Sequence, residues 1–127
     1  MRKCILSINN NRPMNYLLQT VLSNQYKLVP VADVFQGMYE LKRNEEIALV
    51  IADVDYNTQE SWDFIHHIKT SELYNKPVIV LTSDKSKNTT DKIAEADVYA
   101  FFIKPFNPVD LVKTINELII ETPILNI

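Results

Sequence analysis

Five short apolar segments, separated by stretches with helical periodicity, are the feature that most constrains the fold. They occupy residues 4–8, 28–31, 47–53, 77–82 and 100–103. Segments of this length suit strands, and those rich in Val and Ile suit strands buried on both faces. Between them, apolar residues recur three or four positions apart, which predicts amphipathic helices. The alternation of strand and helix predicts a doubly wound α/β sheet of five parallel strands.

The flavodoxin-like strand order 2-1-3-4-5 is the one we expect for such a (βα)5 sheet. Pro30 supports this order, because proline lacks an amide donor and suits a strand at the sheet edge. The helices should begin near Pro13, Asp33, Ser61, Thr89 and Pro108. With 127 residues the chain suits a single domain, which we assign to residues 1–121, followed by a C-terminal tail at 122–127.

Polar residues stand where the predicted strands end. Asn9 and Asn10 follow strand 1, Asp53 ends strand 3, Thr82 ends strand 4 and Lys104 follows strand 5. Because ligands of open parallel sheets bind beyond the carboxyl ends of the strands, these side chains should converge on one site. Taken alone, Asp53 could equally be a turn or capping aspartate. The convergence of residues from four strands favours a functional role.

Composition excludes several other classes of function. The net charge of −3 gives no reason to expect a nucleic-acid partner, and no apolar run approaches the ~18 residues of a membrane span. Gly37 is the single glycine, so a Walker loop and a dinucleotide-binding fingerprint are both ruled out. Cys4 is the single cysteine, which excludes an internal disulfide and fits a reducing compartment. We therefore expect a cytoplasmic protein with neither a nucleic-acid nor a membrane partner.

The polar residues and their register resemble the receiver domain of bacterial two-component response regulators of the chemotaxis type. The resemblance covers nearly the whole chain and includes a Lys-Pro-Phe sequence directly after strand 5. It implies that Asp53 is the phosphoacceptor and that Thr82 and Lys104 contact the phosphoryl group. It also implies that Thr82 and Phe101 form the conformational switch, and that the peptide bond before Pro105 is cis.

The same resemblance implies a Mg²⁺ cofactor, but the metal site departs from the family. The acidic pair that normally follows strand 1 is replaced by Asn9 and Asn10. With Asp53 and Asp55 they form a degenerate metal-binding set, because amide oxygens can coordinate but carry no charge. At ~4 Å and an effective dielectric of ~20, each lost unit charge weakens attraction by roughly 4 kcal/mol per unit of metal charge before solvent compensates. We therefore expect weak Mg²⁺ binding.

Two hypotheses about function stay open. The chain is either a phosphorylatable receiver that accepts phosphate from a histidine kinase or phosphotransfer protein, or a non-phosphorylated pseudo-receiver that acts as a protein-interaction module. Neither is an enzyme. A flavin-binding electron carrier is disfavoured, because residues 9–12 lack the hydroxyl- and glycine-rich phosphate loop it would need. The resemblance further implies that a homodimer could form through helix 4, strand 5 and helix 5, with apolar groups from Tyr99, Phe101, Ile124, Leu125 and Ile127.

Overall fold

The computed structural model describes residues 2–121 as a five-stranded parallel sheet with helices on both faces. The strands are β1 (Cys4–Ile8), β2 (Lys27–Val31), β3 (Ile47–Asp53), β4 (Val78–Thr82) and β5 (Ala100–Ile103). The helices are α1 (Arg12–Leu22), α2 (Val34–Arg43), α3 (Thr58–Thr70), α4 (Lys87–Glu95) and α5 (Pro108–Glu121). The order β2-β1-β3-β4-β5 confirms the predicted fold, with β2 at one edge. The predicted tail, 122–127, lies outside the described residues.

Two apolar layers, one on each face of the sheet, hold the strands in place. Because successive strand residues point to opposite faces, β3 sends Val50 to one layer and Leu49 and Ile51 to the other. The first layer packs against α2 and α3, and Trp62 on α3 is one of its buried members. The second packs against α1 and α5. Within residues 2–121, no helix is both long and apolar enough to cross a bilayer.

The starts of two helices differ from the sequence prediction. The sequence predicted that α3 begins at Ser61 or a nearby polar residue, and it begins at Thr58. Ser61 lies in the first turn, where its hydroxyl donates to the carbonyl of Tyr56. Asn57 before it has φ of 46°, a left-handed conformation that a sequence pattern does not reveal. For α4, Ser86 caps the helix by accepting the amide of Thr89, so α4 begins at Lys87. Both helices begin two or three residues before the positions named from sequence. The backbone conformation of the preceding turn, and not only the residue type, determines the first helical residue.

Gly37 is buried where α2 crosses β1, and this contact yields a prediction. A Cβ at this position would lie 2.7 Å from Cδ1 and 3.3 Å from Cγ1 of Ile8, and 3.4 Å from Cζ of Phe64. Helix propensity alone would make Gly37→Ala stabilising by ~1 kcal/mol. Because both neighbours are buried, we expect the overpacking to outweigh this gain, with a net loss of about 1 kcal/mol in the free energy of unfolding.

Urea denaturation at constant pH would measure this loss. The same substitution in an Ile8→Val background, which removes the crowding Cδ1, should cost less than in the parent chain. An equal cost in both backgrounds would contradict the assigned clash.

Candidate functional site at the carboxyl edge of the sheet

Asp53 lies at the centre of a polar cluster at the carboxyl ends of the strands. It is the last residue of β3, and only 4% of its surface is exposed. One carboxylate oxygen accepts a hydrogen bond from Lys104 Nζ at 2.5 Å, and the other accepts the amide of Asp55 at 2.9 Å. A buried polar group needs such hydrogen-bond partners to offset its lost hydration. Asp53 is therefore the hydrogen-bonded centre of the cluster at the carboxyl edge of the sheet.

Lys104 connects two carboxylates across the site. Its ammonium lies 2.5 Å from Asp53 and 2.9 Å from Asp55, and its amide donates to the carbonyl of Thr82 at 2.9 Å. Burial by itself lowers the pKa of Lys104, but the hydrogen bonds and charges of the two aspartates raise it above its ordinary value. Lys104 is therefore firmly cationic at neutral pH. The peptide bond between Lys104 and Pro105 is cis, the isomer that the family resemblance implies.

The carboxylate of Asp55 faces the ends of β4 and β5. It accepts the hydroxyl of Thr82 at 2.8 Å, the amide of Ser83 at 3.0 Å and the ammonium of Lys104 at 2.9 Å. Burial raises the pKa of Asp55, but the hydrogen bonds from Lys104, Ser83 and Thr82 together hold it below its ordinary value. The sequence analysis placed Asp55 in the predicted metal-binding set. In the structure its carboxylate instead accepts hydrogen bonds from these three donors. Ser83 was missed, although its position directly after Thr82 was a usable signal.

Thr82 and Phe101, the two residues expected to form the switch, sit in different surroundings. Thr82 is buried, and its hydroxyl oxygen also accepts the amide of Asp84 at 3.0 Å. Phe101 on β5 has 47% of its surface exposed, and Tyr99 beside this strand has 41%. Phe101 is thus half-exposed whereas Thr82 is buried, and their role as a switch stays a prediction. A homodimer through α4, β5 and α5 stays a prediction.

A cavity of about 50 Å³ lies beside Asp53. Asn9, Asn10 and Asp53 line it as expected, together with Glu60, which sequence reasoning did not single out. The buried Asn9 already uses its amide oxygen to accept the backbone amide of Asn11 at 2.9 Å. Among residues 2–119, no group of three or more His, Cys, Asp or Glu side chains is arranged to hold a metal ion. Each oxygen of Asp53 also has a protein partner, so a cation in this cavity would share the carboxylate with Lys104 and the amide of Asp55.

Comparisons with known proteins agree with the fold. The family model of the response regulator receiver domain matches residues 5–116, which is most of the chain. A curated relative, the two-component response regulator ORR3 of Oryza sativa subsp. indica, is 24% identical over 100 residues, covering 78% of this chain and 76% of the relative.

Solved structures of receiver proteins superpose closely on the fold. The chemotaxis response regulator CheY4 of Vibrio cholerae is similar with a TM-score of 0.80 at 18% identity, covering 93% of this chain and 99% of that one. A response regulator receiver protein from Pseudomonas putida has a TM-score of 0.82 at 21% identity, covering 92% and 98%. At these identities the solved structures show only that the fold is shared. The match of the family model to residues 5–116 shows that the chain is a member of the family. The chain therefore belongs to the response regulator receiver domain family of two-component signalling.

Proposed function

We propose that this receiver accepts a phosphoryl group on Asp53 from a phosphohistidine of a histidine kinase or phosphotransfer protein. The observation that carries the proposal is the buried Asp53 carboxylate at the end of β3 with the Lys104 ammonium 2.5 Å away. Carboxylates serve as nucleophiles in aspartyl-phosphate formation. An adjacent fixed cation stabilises the charge that spreads over the phosphoryl oxygens during transfer.

In the proposed reaction, a carboxylate oxygen of Asp53 bonds to phosphorus while the bond from phosphorus to the donor imidazole nitrogen breaks. The electron pair of that bond returns to the imidazole, and an acyl phosphate remains on Asp53. Lys104 supplies positive charge from the end of β5, and the Thr82 hydroxyl supplies a hydrogen-bond donor from the end of β4. Positioning and charge neutralisation are the main contributions a protein makes to such a transfer.

Mg²⁺ would bind weakly in the cavity beside Asp53, with Asn9 and Asn10 as neutral oxygen ligands. When bound, the ion would supply additional positive charge near the transferred oxygens. The carboxylate of Asp55 would contribute little, because it is occupied by Thr82, Ser83 and Lys104. We therefore propose phosphorylation that is slow at ordinary Mg²⁺ concentrations.

A pseudo-receiver is the second candidate function. The observation that favours it is that both oxygens of Asp53 and the amide oxygen of Asn9 already have protein partners. Such a module would be recognised by its partners through its surface, without phosphoryl transfer. The two candidates share the same fold and differ only in the chemistry of Asp53.

Mass spectrometry of the intact protein after treatment with acetyl phosphate and excess Mg²⁺ separates the two candidates. We expect the parent chain to gain the mass of one phosphoryl group and Asp53→Asn to gain none, because an amide is not a nucleophile for this step. Asp63→Asn, on the exposed side of α3, is the matched control and should behave as the parent chain. Labelling of Asp53→Asn would reject Asp53 as the acceptor, and absence of labelling in every chain would favour the pseudo-receiver.

A further inference from the structure

Three hydrogen-bond donors from the ends of two strands converge on the carboxylate of Asp55. They are the hydroxyl of Thr82 at 2.8 Å, the backbone amide of Ser83 at 3.0 Å and the ammonium of Lys104 at 2.9 Å. We call these three groups the donor cradle. Their chemical mixture of hydroxyl, amide and ammonium is suited to the oxygens of an oxyanion. In this structure, the oxygens that satisfy them belong to the protein itself.

The cradle lies directly beside the proposed nucleophile. Lys104 bridges it to Asp53, since one ammonium contacts both carboxylates. An oxyanion attached to Asp53 would therefore compete with Asp55 for the ammonium of Lys104. A turn cap is a contact between near neighbours in the chain, whereas Thr82, Ser83 and Lys104 lie 27, 28 and 49 residues from Asp55. Their convergence indicates that the carboxylate fills a binding position.

We propose that Asp55 is a built-in occupant of the donor cradle that competes with the oxygens of a phosphoryl group on Asp53. This inference rests on the proposed function for the identity of the incoming group. Asp55 is a positioning residue in this scheme: it holds Thr82, Ser83 and Lys104 in place before transfer and must be displaced when the phosphoryl group arrives. Both of its oxygens are engaged, Oδ1 by Thr82 and Ser83 and Oδ2 by Ser83 and Lys104.

Titration with inorganic phosphate in the absence of Mg²⁺ tests the cradle independently of phosphorylation. The readout is the ¹⁵N–¹H resonance of Ser83 in the intact chain, which reports directly on one of the three donors. Asp55→Asn removes the negative charge that competes with phosphate for the three donors. We expect the Kd for phosphate to fall about tenfold, which is the effect of losing one hydrogen bond to a charged group. Asp55→Ala is the second variant, and the spectrum of each variant shows that it is folded.

Asp84→Asn is the matched control for charge. Asp84 lies close enough for the charge of Asp55 to affect its pKa, but its own carboxylate accepts from Ser86 and Thr89 and not from the cradle. Its Kd for phosphate should therefore stay near that of the parent chain. Equal Kd values for the parent and both Asp55 variants would overturn the proposal. So would an equal gain in Asp84→Asn, which would show a general effect of net charge.

Labelling by acetyl phosphate at saturating Mg²⁺ gives the functional readout. Asp55→Asn should be phosphorylated on Asp53 faster than the parent chain, and a slower reaction would overturn the proposal by showing that Asp55 serves the metal. If no variant is labelled on Asp53, the proposed phosphoacceptor role fails. The phosphate titration still decides whether Asp55 occupies the cradle, so the two failures are distinguishable.

Discussion

Replacing both Asn9 and Asn10 with aspartate should tighten Mg²⁺ binding by about two orders of magnitude, or roughly 2.7 kcal/mol. Both residues line the cavity beside Asp53, where Asp53 and Glu60 supply carboxylates and both asparagines supply neutral amides. Two added carboxylates would supply the negative charge and oxygen ligands that Mg²⁺ prefers. Solvent screening cancels most of the Coulomb attraction between Mg²⁺ and the two added carboxylates. The fraction that is left accounts for the expected gain in affinity.

Isothermal titration calorimetry is the direct measurement, because Trp62 packs in an apolar layer and does not line the cavity. In Mg²⁺-free buffer the double variant should also be less stable, since its new carboxylates stand near Asp53. Added Mg²⁺ should restore that stability and accelerate labelling of Asp53.

Asn11→Asp is the matched control for these aspartates. Asn11 adjoins Asn10 and caps α1 by accepting the amide of Met14, a role that aspartate fills equally well. This variant adds charge to the same loop but should leave Mg²⁺ affinity almost unchanged. Tight Mg²⁺ binding by the parent chain would contradict the account of a degenerate metal site.

Replacing Lys104 with methionine should lower the free energy of unfolding at pH 7 by about 3 kcal/mol. The substitution keeps most of the side-chain volume but removes the cation shared by Asp53 and Asp55. The side chain of Asp53 is only 2% exposed, so water cannot replace the lost ammonium effectively. The two carboxylates would then repel each other in a partly buried site.

The pH dependence of this loss follows from the direction of two pKa shifts. The pKa of Asp55 is lowered below 3.8 in the fold, so its stabilising contribution is present above that value and is lost as pH falls through the folded value. The pKa of Lys104 is raised above 10.5, so its contribution is present below that value and is lost as pH rises through the folded value. The difference between parent and variant should therefore be largest from pH 4 to pH 10, with both limits taken as about the ordinary pKa values.

Urea denaturation across this pH range measures the difference. Lys87→Met is the matched control, because Lys87 pairs with Asp91 at 3.0 Å while both side chains are largely exposed. An exposed pair of this kind contributes about 0.5 kcal/mol or less. Equal losses in the two lysine variants would contradict the assignment of Lys104 to a stabilising charge cluster.

The sequence by itself determined the fold class and which strand ends carry polar residues. The alternation of apolar segments and amphipathic stretches is a local property, and it predicted the doubly wound parallel sheet. The strand order that the structure shows is the flavodoxin-like one expected for such a sheet. Once parallel strands are assigned, their carboxyl ends must lie along one edge, so Asp53, Thr82 and Lys104 could be brought together from chain position alone. The register of β3 beside β4 then fixes their spacing.

Only the tertiary structure decided which partner each polar side chain takes. Asp55 could face either the metal cavity or the cradle, and nothing in its neighbours along the chain separates these orientations. Its preference for Thr82, Ser83 and Lys104 arises because those donors arrive from β4 and β5, far away in sequence. The left-handed conformation of Asn57 likewise depends on the turn between β3 and α3. Periodicity and strand ends are encoded over a few neighbouring residues, whereas hydrogen-bond partners are chosen among groups that meet only after the sheet has formed.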